Sequence, residues 1–192
     1  MIKSKYKNDE VIKSKGGKVV ESAIHQNGQR YVLKSYPTSD SSSIDHELEV
    51  YQKIKQPHLH GIPEVKEGFK SDGRLYLVFD QLGPNLEYLR LRCGGRFSLK
   101  STLMVGLQML ERIEFIHENG FLHGDIKPSN FLIGSTNKMK HKVYLVDFEL
   151  SRAYLANGKH IEEETIDNFS GCLRFCSSSY NNRRSLCRRD EL

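Results

Sequence analysis

The segment His123-Gly-Asp-Ile-Lys-Pro-Ser-Asn130 decides how this 192-residue sequence is interpreted. It follows a segment from Ser98 to His117 whose apolar residues recur at helical spacing. After a short linker it is followed by an apolar segment, Lys142 to Asp147, which has the composition of a strand. The pattern therefore predicts that polar residues of the first segment lie close to Asp147, at the ends of neighbouring β segments.

These polar residues are the set that phosphoryl transfer requires. A carboxylate such as Asp125 orients the attacking hydroxyl, and a cation such as Lys127 neutralises the moving phosphoryl group. An amide and a second carboxylate, here Asn130 and Asp147, are suitable Mg²⁺ ligands. Further upstream, Lys34 ends an apolar strand and is followed by a helix that carries glutamates.

The rest of the chain predicts strands first and helices later. Asn27-Gly28 lies between two short alternating segments and is typical of a β-hairpin turn. Leu82-Gly-Pro84 interrupts the pattern after the last strand of the first half. The other predicted elements are a helix over Ile44–Ile54, a strand over Arg74–Asp80 and a helix over about Ser98–His117. This order favours a two-lobed α+β chain.

Composition excludes several classes of protein. The 29 Lys and Arg exceed the 24 Asp and Glu by a net charge of only +5, too little for a dedicated nucleic-acid binder. No apolar run approaches the roughly 18–20 residues that span a bilayer, and no secretory signal is expected at the N-terminus. The four cysteines form no C-x-x-C pair and are expected to be free thiols. We therefore expect an intracellular protein, cytoplasmic or nuclear or both, with no membrane or nucleic-acid partner.

Several motifs resemble those of eukaryotic protein kinases, whose signatures are V-A-I-K, H-R-D-L-x-x-x-N and D-F-G. Tyr31-Val-Leu-Lys34, His123–Asn130 and Asp147-Phe-Glu149 stand in the corresponding order. Within kinases the sequence is most similar to the casein kinase 1 family. The segments that carry this similarity are Leu82–Glu87, Phe97–Lys100, Asp125–Leu132, Ser170–Ser177 and Arg188–Leu192. The vaccinia-related kinases, relatives of that family, share the H-G-D form of the catalytic loop.

The resemblance assigns roles position by position. Lys34 would bind the α- and β-phosphates of ATP and pair with Glu47, with Glu49 as the less favoured partner. Asp125 would be the catalytic base, and Lys127 would stabilise the γ-phosphate.

The resemblance also implies ATP and Mg²⁺ as cofactors. Asn130 and Asp147 would hold Mg²⁺, Phe79 would be the gatekeeper, and the backbone of Asp80 and Leu82 would bind adenine. The predicted nucleotide-binding residues are Gly17, Val19, Lys34, Phe79, Asp80, Leu82 and Leu132.

The expected fold is a protein-kinase-like fold with a β-rich small lobe over residues 1–79, a hinge over 80–82 and an incomplete helical large lobe over 83–192. The expected function is that of a casein kinase 1-like Ser/Thr kinase. Its protein substrates would be acidic or prephosphorylated, bound by a basic patch of Arg174 and the arginines of 183–189, although a merely solvated basic face is an equal interpretation. A pseudokinase that acts as a binding module is the alternative function.

Four departures from the family pattern bear on that alternative. Gly124 replaces the arginine of H-R-D, which serves control by a phosphorylated activation loop. Counting back from Lys34 places Ile12, Ser14 and Gly17 at the three glycine-loop positions, so that only one glycine remains and weaker ATP binding is expected. Lys13, Lys15 and Lys18 could partly compensate by charge.

The other two departures concern the activation segment and the large lobe. Glu149 replaces the glycine of D-F-G and could either help to bind a metal or repel phosphates. The sequence ends at Leu192, where the family continues with several helices, and Glu191 stands at the position of an anchoring aspartate. The helix over 98–117 should therefore expose part of its apolar face.

Overall fold

The computed structural model describes residues 5–54, 60–162 and 164–192. Its N-terminal half contains an antiparallel sheet with the strand order β1-β2-β3-β5-β4. The strands are β1 (Tyr6–Lys15), β2 (Lys18–His25), β3 (Arg30–Pro37), β4 (Glu67–Ser71) and β5 (Arg74–Asp80).

The first two hairpins have short turns that fix the register of the sheet. Gly16 and Gly17 connect β1 to β2, and both have positive φ angles, 58° and 79°, as a two-residue type I′ turn requires. The predicted Asn27-Gly28 turn is confirmed between β2 and β3, where the Gly28 N–H donates to the His25 carbonyl. As a result, Val20 lies opposite Lys34 on the neighbouring strand.

Helix α1 (Ser41–Lys53) follows β3 through a 3₁₀ turn over Thr38–Asp40. The helix packs its apolar residues, including Val50 and Tyr51, against the buried face of the sheet. The same buried face of α1 carries Glu47, whose side chain is almost completely inaccessible. A buried carboxylate is costly unless it is paired, so α1 must be held where a cation reaches Glu47.

The C-terminal half is built on two helices with short strands around them. Asn85 caps α2 (Leu86–Arg92), and Ser98 caps α3 (Leu99–Glu118), each by accepting a hydrogen bond from a backbone N–H of the first turn. Helix α2 was not predicted. The remaining elements are β6 (Phe121–Leu122), β7 (Phe131–Ile133), β8 (Val143–Leu145), β9 (Arg152–Ala153), β10 (Leu155–Ala156), β11 (Lys159–His160) and α4 (Ser178–Asn181).

Helix α3 exposes one apolar face, as the sequence predicts. Leu103 and Leu107 expose 64% and 61% of their surface, whereas Ile113 and Ile116 near the end of the helix are buried. The other exposed apolar residues of this face are Leu99, Met104 and Leu110. A contiguous apolar surface of this kind is unusual in a soluble monomer and favours association.

The architecture is α+β, with an antiparallel sheet and one helix first and a helical part second. The larger buried cluster includes residues of both parts, because Phe79 of β5 and Phe148 of the C-terminal part both pack against Tyr51. A second, smaller cluster lies within the sheet and includes Leu33 and Tyr76. None of the helices in the described part of the chain has the length and apolar character that a membrane span requires.

Candidate active site

A cleft of about 730 Å³ lies between the sheet and the C-terminal part. Val20, Val32 and Lys34 line it from the sheet, and Leu132 and Val146 line it from the opposite side. The volume falls in the range of roughly 300–1,000 Å³ that small-molecule sites occupy. The predicted residues Phe79 and Asp80, which end β5, and Leu82, which follows it, also line this cleft.

The predicted Lys34–Glu47 pair is present at the back of the cleft. The Lys34 Nζ lies 2.8 Å from Glu47 Oε2 and 2.5 Å from Asp147 Oδ1, so one ammonium group joins β3, α1 and the segment after β8. Glu47 also accepts hydrogen bonds from the Tyr36 hydroxyl (2.6 Å) and the Phe148 backbone N–H (3.2 Å). The alternative partner, Glu49, instead pairs with Lys53 on the exposed side of α1.

The pKa values of Asp147 and Lys34 are shifted by burial and by the charges around them. Burial by itself would raise the pKa of Asp147, but the attraction of Lys34 and Lys13 outweighs it and lowers that pKa to about 2. Burial by itself would lower the pKa of Lys34, but Glu47 and Asp147 raise it well above its usual value. Lys34 and Asp147 are therefore both charged at neutral pH.

The low pKa of Asp147 makes part of the stability of the fold depend on pH. Because this pKa lies below its value of 3.8 in an unfolded chain, ionised Asp147 stabilises the folded state above that value and the contribution is lost as the pH falls toward 2. We expect the urea midpoint of the wild-type chain to fall more steeply between about pH 5 and pH 2 than that of Asp147→Asn. Parallel declines in the two proteins would contradict this expectation.

The segment over His123–Asn130 brings the predicted catalytic residues together. Lys127 Nζ donates to Asp125 Oδ2, and Asn130 Nδ2 donates to the Asp125 carbonyl at 2.8 Å and to its Oδ2 at 3.2 Å. The other carboxylate oxygen of Asp125, Oδ1, is buried and has no hydrogen-bond partner in the described structure. A buried acceptor without a partner is rare, and this one belongs to a residue that lines the cleft. Asp125 can therefore accept a hydrogen bond from a hydroxyl group that enters the site.

Asn130 and Asp147 also fit the Mg²⁺ that the resemblance implies. The Asn130 amide nitrogen is used on Asp125, which leaves its oxygen as the atom for a metal. Asp147 is held at a φ angle of 74°, rare for a residue with a side chain, and its carboxylate lines the cleft. Within the described residues there is no cluster of three His, Cys, Asp or Glu side chains for a metal. One carboxylate and one amide suit Mg²⁺, which keeps waters and phosphate oxygens as its remaining ligands.

The β1–β2 hairpin differs from the prediction by one residue. Val20 lines the cleft instead of the predicted Val19, and Gly16 lines it instead of the predicted Gly17. Alternate residues of a strand face opposite sides, so Val20, which pairs with Lys34, shares its side of the sheet. Counting back from Lys34 gave the wrong residues because it assumed the family's hairpin length, whereas here the β2–β3 turn is short.

Gly124 has a conformation and surroundings that exclude a larger residue. Its φ angle is 82°, and a Cβ atom at this position would lie 2.2 Å from the Leu150 carbonyl oxygen. The absence of the usual arginine therefore allows the segment over His123–Asn130 to pack closely against Leu150.

Restoring that arginine should damage the protein. We expect Gly124→Arg and Gly124→Ala to lower the free energy of unfolding by about 2 kcal/mol or more, because backbone strain and a clash with backbone add together. Urea denaturation would measure the loss of stability, with Gly94→Ala as the control. Gly94 also has a positive φ angle, but a Cβ atom added there meets nothing within 4 Å. Equal losses in the Gly124 and Gly94 variants would show that the contact with Leu150 is unimportant.

Glu191 holds the segment over His123–Asn130 in place, as its correspondence to the family's anchoring aspartate predicts. Its carboxylate accepts hydrogen bonds from the backbone N–H groups of Gly124 (2.6 Å) and His123 (3.1 Å), and it lies 2.9 Å from His117 Nε2. Burial by itself would raise the pKa of Glu191, but these hydrogen bonds lower it. The ionised carboxylate thus connects the last described segment to α3 and to the catalytic segment.

Comparison with known proteins agrees with this geometry. Residues 8–179 match the family described as "Protein kinase domain". The chain is also similar to "Casein kinase I homolog 1" of Schizosaccharomyces pombe, with 36% identity over 180 residues, 92% of this chain and 40% of the relative. The chain thus spans less than half the length of the curated relative that it matches. With an α+β fold, a lysine–glutamate pair and a catalytic segment in the expected order, the chain belongs to the protein kinase family.

Proposed function

We propose that this chain binds Mg-ATP in the cleft and transfers the γ-phosphate to Ser or Thr hydroxyls of protein substrates, as a casein kinase 1-like enzyme. The observation that carries the proposal is the unpartnered Oδ1 of Asp125, a buried acceptor in a cleft that also contains the complete set of Lys34, Glu47, Asn130 and Asp147. A pseudokinase commonly lacks one of these groups. The proposed lobes are residues 1–79 and 83–192, joined by a hinge over 80–82.

The proposed mechanism follows from the hydrogen bonds around Asp125. Its Oδ1 accepts the hydrogen bond of the substrate hydroxyl and orients the oxygen toward the γ-phosphorus. Lys127, which donates to Oδ2, lies where it can also neutralise the charge of the moving phosphoryl group. Lys34 holds the α- and β-phosphates, and Glu47 holds Lys34. When bound by Asn130 and Asp147, Mg²⁺ would neutralise charge on the phosphate oxygens.

The proposed substrates are acidic or prephosphorylated proteins. Support comes from Arg174 and from Arg183, Arg184, Arg188 and Arg189, all of which are exposed on the segment that follows the catalytic residues. Guanidinium groups bind phosphate and carboxylate groups through paired hydrogen bonds. A phosphopeptide should therefore be a better substrate than the same peptide without phosphate.

Nucleotide binding provides the first test of the proposal. We expect saturating ATP with Mg²⁺ to stabilise the fold, since a ligand at about 100 times its Kd adds about 2.7 kcal/mol. For a chain of this size that corresponds to a rise in Tm of roughly 5–10 °C. The measurement is a thermal melt followed by circular dichroism, with AMP as the control ligand.

Transfer of radiolabelled phosphate to casein is the second part of the same test. Stabilisation by ATP together with labelling of casein supports the kinase, and stabilisation without labelling would favour a nucleotide-binding pseudokinase. If ATP did not stabilise the fold and casein were not labelled, the proposed function would be contradicted.

A further inference from the structure

The register of the sheet changes which residues occupy the glycine-loop positions. Val20 lines the cleft opposite Lys34 and therefore takes the place of the valine in G-x-G-x-x-G-x-V. Counting back from Val20 places a lysine at each of the three glycine positions, namely Lys13, Lys15 and Lys18. The two glycines of this segment, Gly16 and Gly17, instead form the hairpin turn.

All three lysines line the cleft. Lys13 Nζ lies 3.7 Å from Asp147 Oδ2. Lys18 donates to Glu149 and lies 3.6 Å from Asp40 Oδ2, so it joins β2 to the 3₁₀ turn before α1 and to the segment that follows β8. Lys15 has no ion-pair partner within residues 5–54, 60–162 and 164–192, and it is exposed. Its ammonium group is therefore free to bind an anion.

The charge balance of the cleft depends on these lysines. Six carboxylate side chains and five ammonium side chains line the described part of the cleft, and the hairpin supplies three of the five. Without them, only Lys34 and Lys127 would oppose the six carboxylates. A nucleotide polyphosphate would then meet a strongly negative surface, which would weaken its binding.

Lys18 also bears on whether Glu149 repels phosphates, a question that the sequence alone did not answer. Because Lys18 donates to Glu149, the additional carboxylate near Asp147 is already paired and does not face the phosphates as an uncompensated charge. The pair joins residues 131 positions apart and holds the Lys18 side chain, which is 26% exposed, beside the cleft.

We infer that the side chains of Lys13, Lys15 and Lys18 bind nucleotide phosphates in this chain, in place of the closely approaching backbone N–H groups of a glycine-rich loop. The inference rests on the proposed nucleotide binding. Ammonium groups act as point charges with several donors, so their contribution grows with the charge of the ligand. The site should therefore prefer ATP to ADP and ADP to AMP, and salt should weaken this preference.

The experiment compares nucleotide affinities by isothermal titration calorimetry at low and high KCl. Lys15→Gln is the main variant, because it removes a cation without breaking an ion pair. Lys7→Gln is the matched control, since Lys7 is exposed on the same strand but does not line the cleft. We expect Lys15→Gln to weaken ATP binding about fivefold, as for one exposed charge contact, with a smaller effect on ADP and little on AMP. Lys7→Gln should change none of the three.

A triple variant distinguishes side-chain from backbone binding. Lys13→Gly, Lys15→Gly and Lys18→Gly together restore the glycines of the motif and remove the charges. Side-chain binding predicts that this variant binds ATP more weakly than the wild-type chain, and more weakly than Lys15→Gln. Circular dichroism of each variant checks that the fold is retained, and Lys15→Gln alone tests the inference if the triple variant fails to fold.

The outcomes separate this inference from the proposed function. If the wild-type chain binds ATP but Lys15→Gln behaves like Lys7→Gln, or the triple variant binds as tightly as wild type, the inference is overturned and nucleotide binding stands. If the wild-type chain binds no nucleotide, both are overturned.

Discussion

Asp125→Asn is expected to reduce the transfer of phosphate to casein by about 10²–10⁴-fold, the usual contribution of a general base. The asparagine keeps the shape of the side chain and can still accept from Lys127, but it removes the carboxylate that orients the substrate hydroxyl. ATP binding should persist, because the substitution removes a negative charge from the cleft. The measurement is the initial rate of radiolabel transfer, together with calorimetry of ATP binding.

Asp45→Asn is the matched control, since Asp45 is an exposed carboxylate on α1 outside the cleft. Its rate should equal that of the wild-type chain. If Asp125→Asn retained the wild-type rate, the labelling would not depend on this site, and the assignment of Asp125 as the base would have to be abandoned.

Glu191→Gln is expected to produce the largest loss of stability from a single substitution. The carboxylate accepts from two backbone N–H groups and lies beside His117, and an amide would direct its own N–H₂ group at one of these donors. Leaving buried donors without a partner costs about 1–3 kcal/mol for each group, and more where a charge is involved. We therefore expect the free energy of unfolding to fall by about 3 kcal/mol, a decrease in Tm of roughly 6–12 °C.

Thermal denaturation of Glu191→Gln tests this expectation, with Glu162→Gln as the matched control. Glu162 is exposed, so its substitution should change Tm by little. Equal melting temperatures for the two variants would show that Glu191 does not anchor the catalytic segment. A loss of stability should also lower the phosphate transfer rate, because Glu191 holds the backbone immediately before Asp125.

The sequence allowed correct predictions where a feature depends on local pattern. The helical spacing before His117 predicted α3, the Asn27-Gly28 turn predicted a hairpin, and the Lys34–Glu47 pair followed from the motif order. Each depends on residues close in sequence or on a motif whose parts keep their order. Helix α2, with only seven residues, was too short to give a clear period.

The register of the β1–β2 hairpin could not be predicted in the same way. Which residue faces the cleft depends on the length of the β2–β3 turn, and a difference of one residue exchanges the two faces of a strand. Neither Val20 nor the positions of the three lysines could be obtained by counting from Lys34. The Lys18–Glu149 pair has no local signal, because strand packing alone brings its two residues together.

The exposed face of α3 has a practical consequence for every melting experiment suggested above. Fluorescent dyes that report unfolding do so by binding apolar surface, and Leu103 and Leu107 offer such a surface in the folded chain. The dye signal would thus be high before the transition, and the dye could itself shift the equilibrium by binding the native state. The chain has no tryptophan to serve as an intrinsic probe instead. Circular dichroism and calorimetry require neither an apolar dye nor a tryptophan, and they are therefore the suitable methods for this protein.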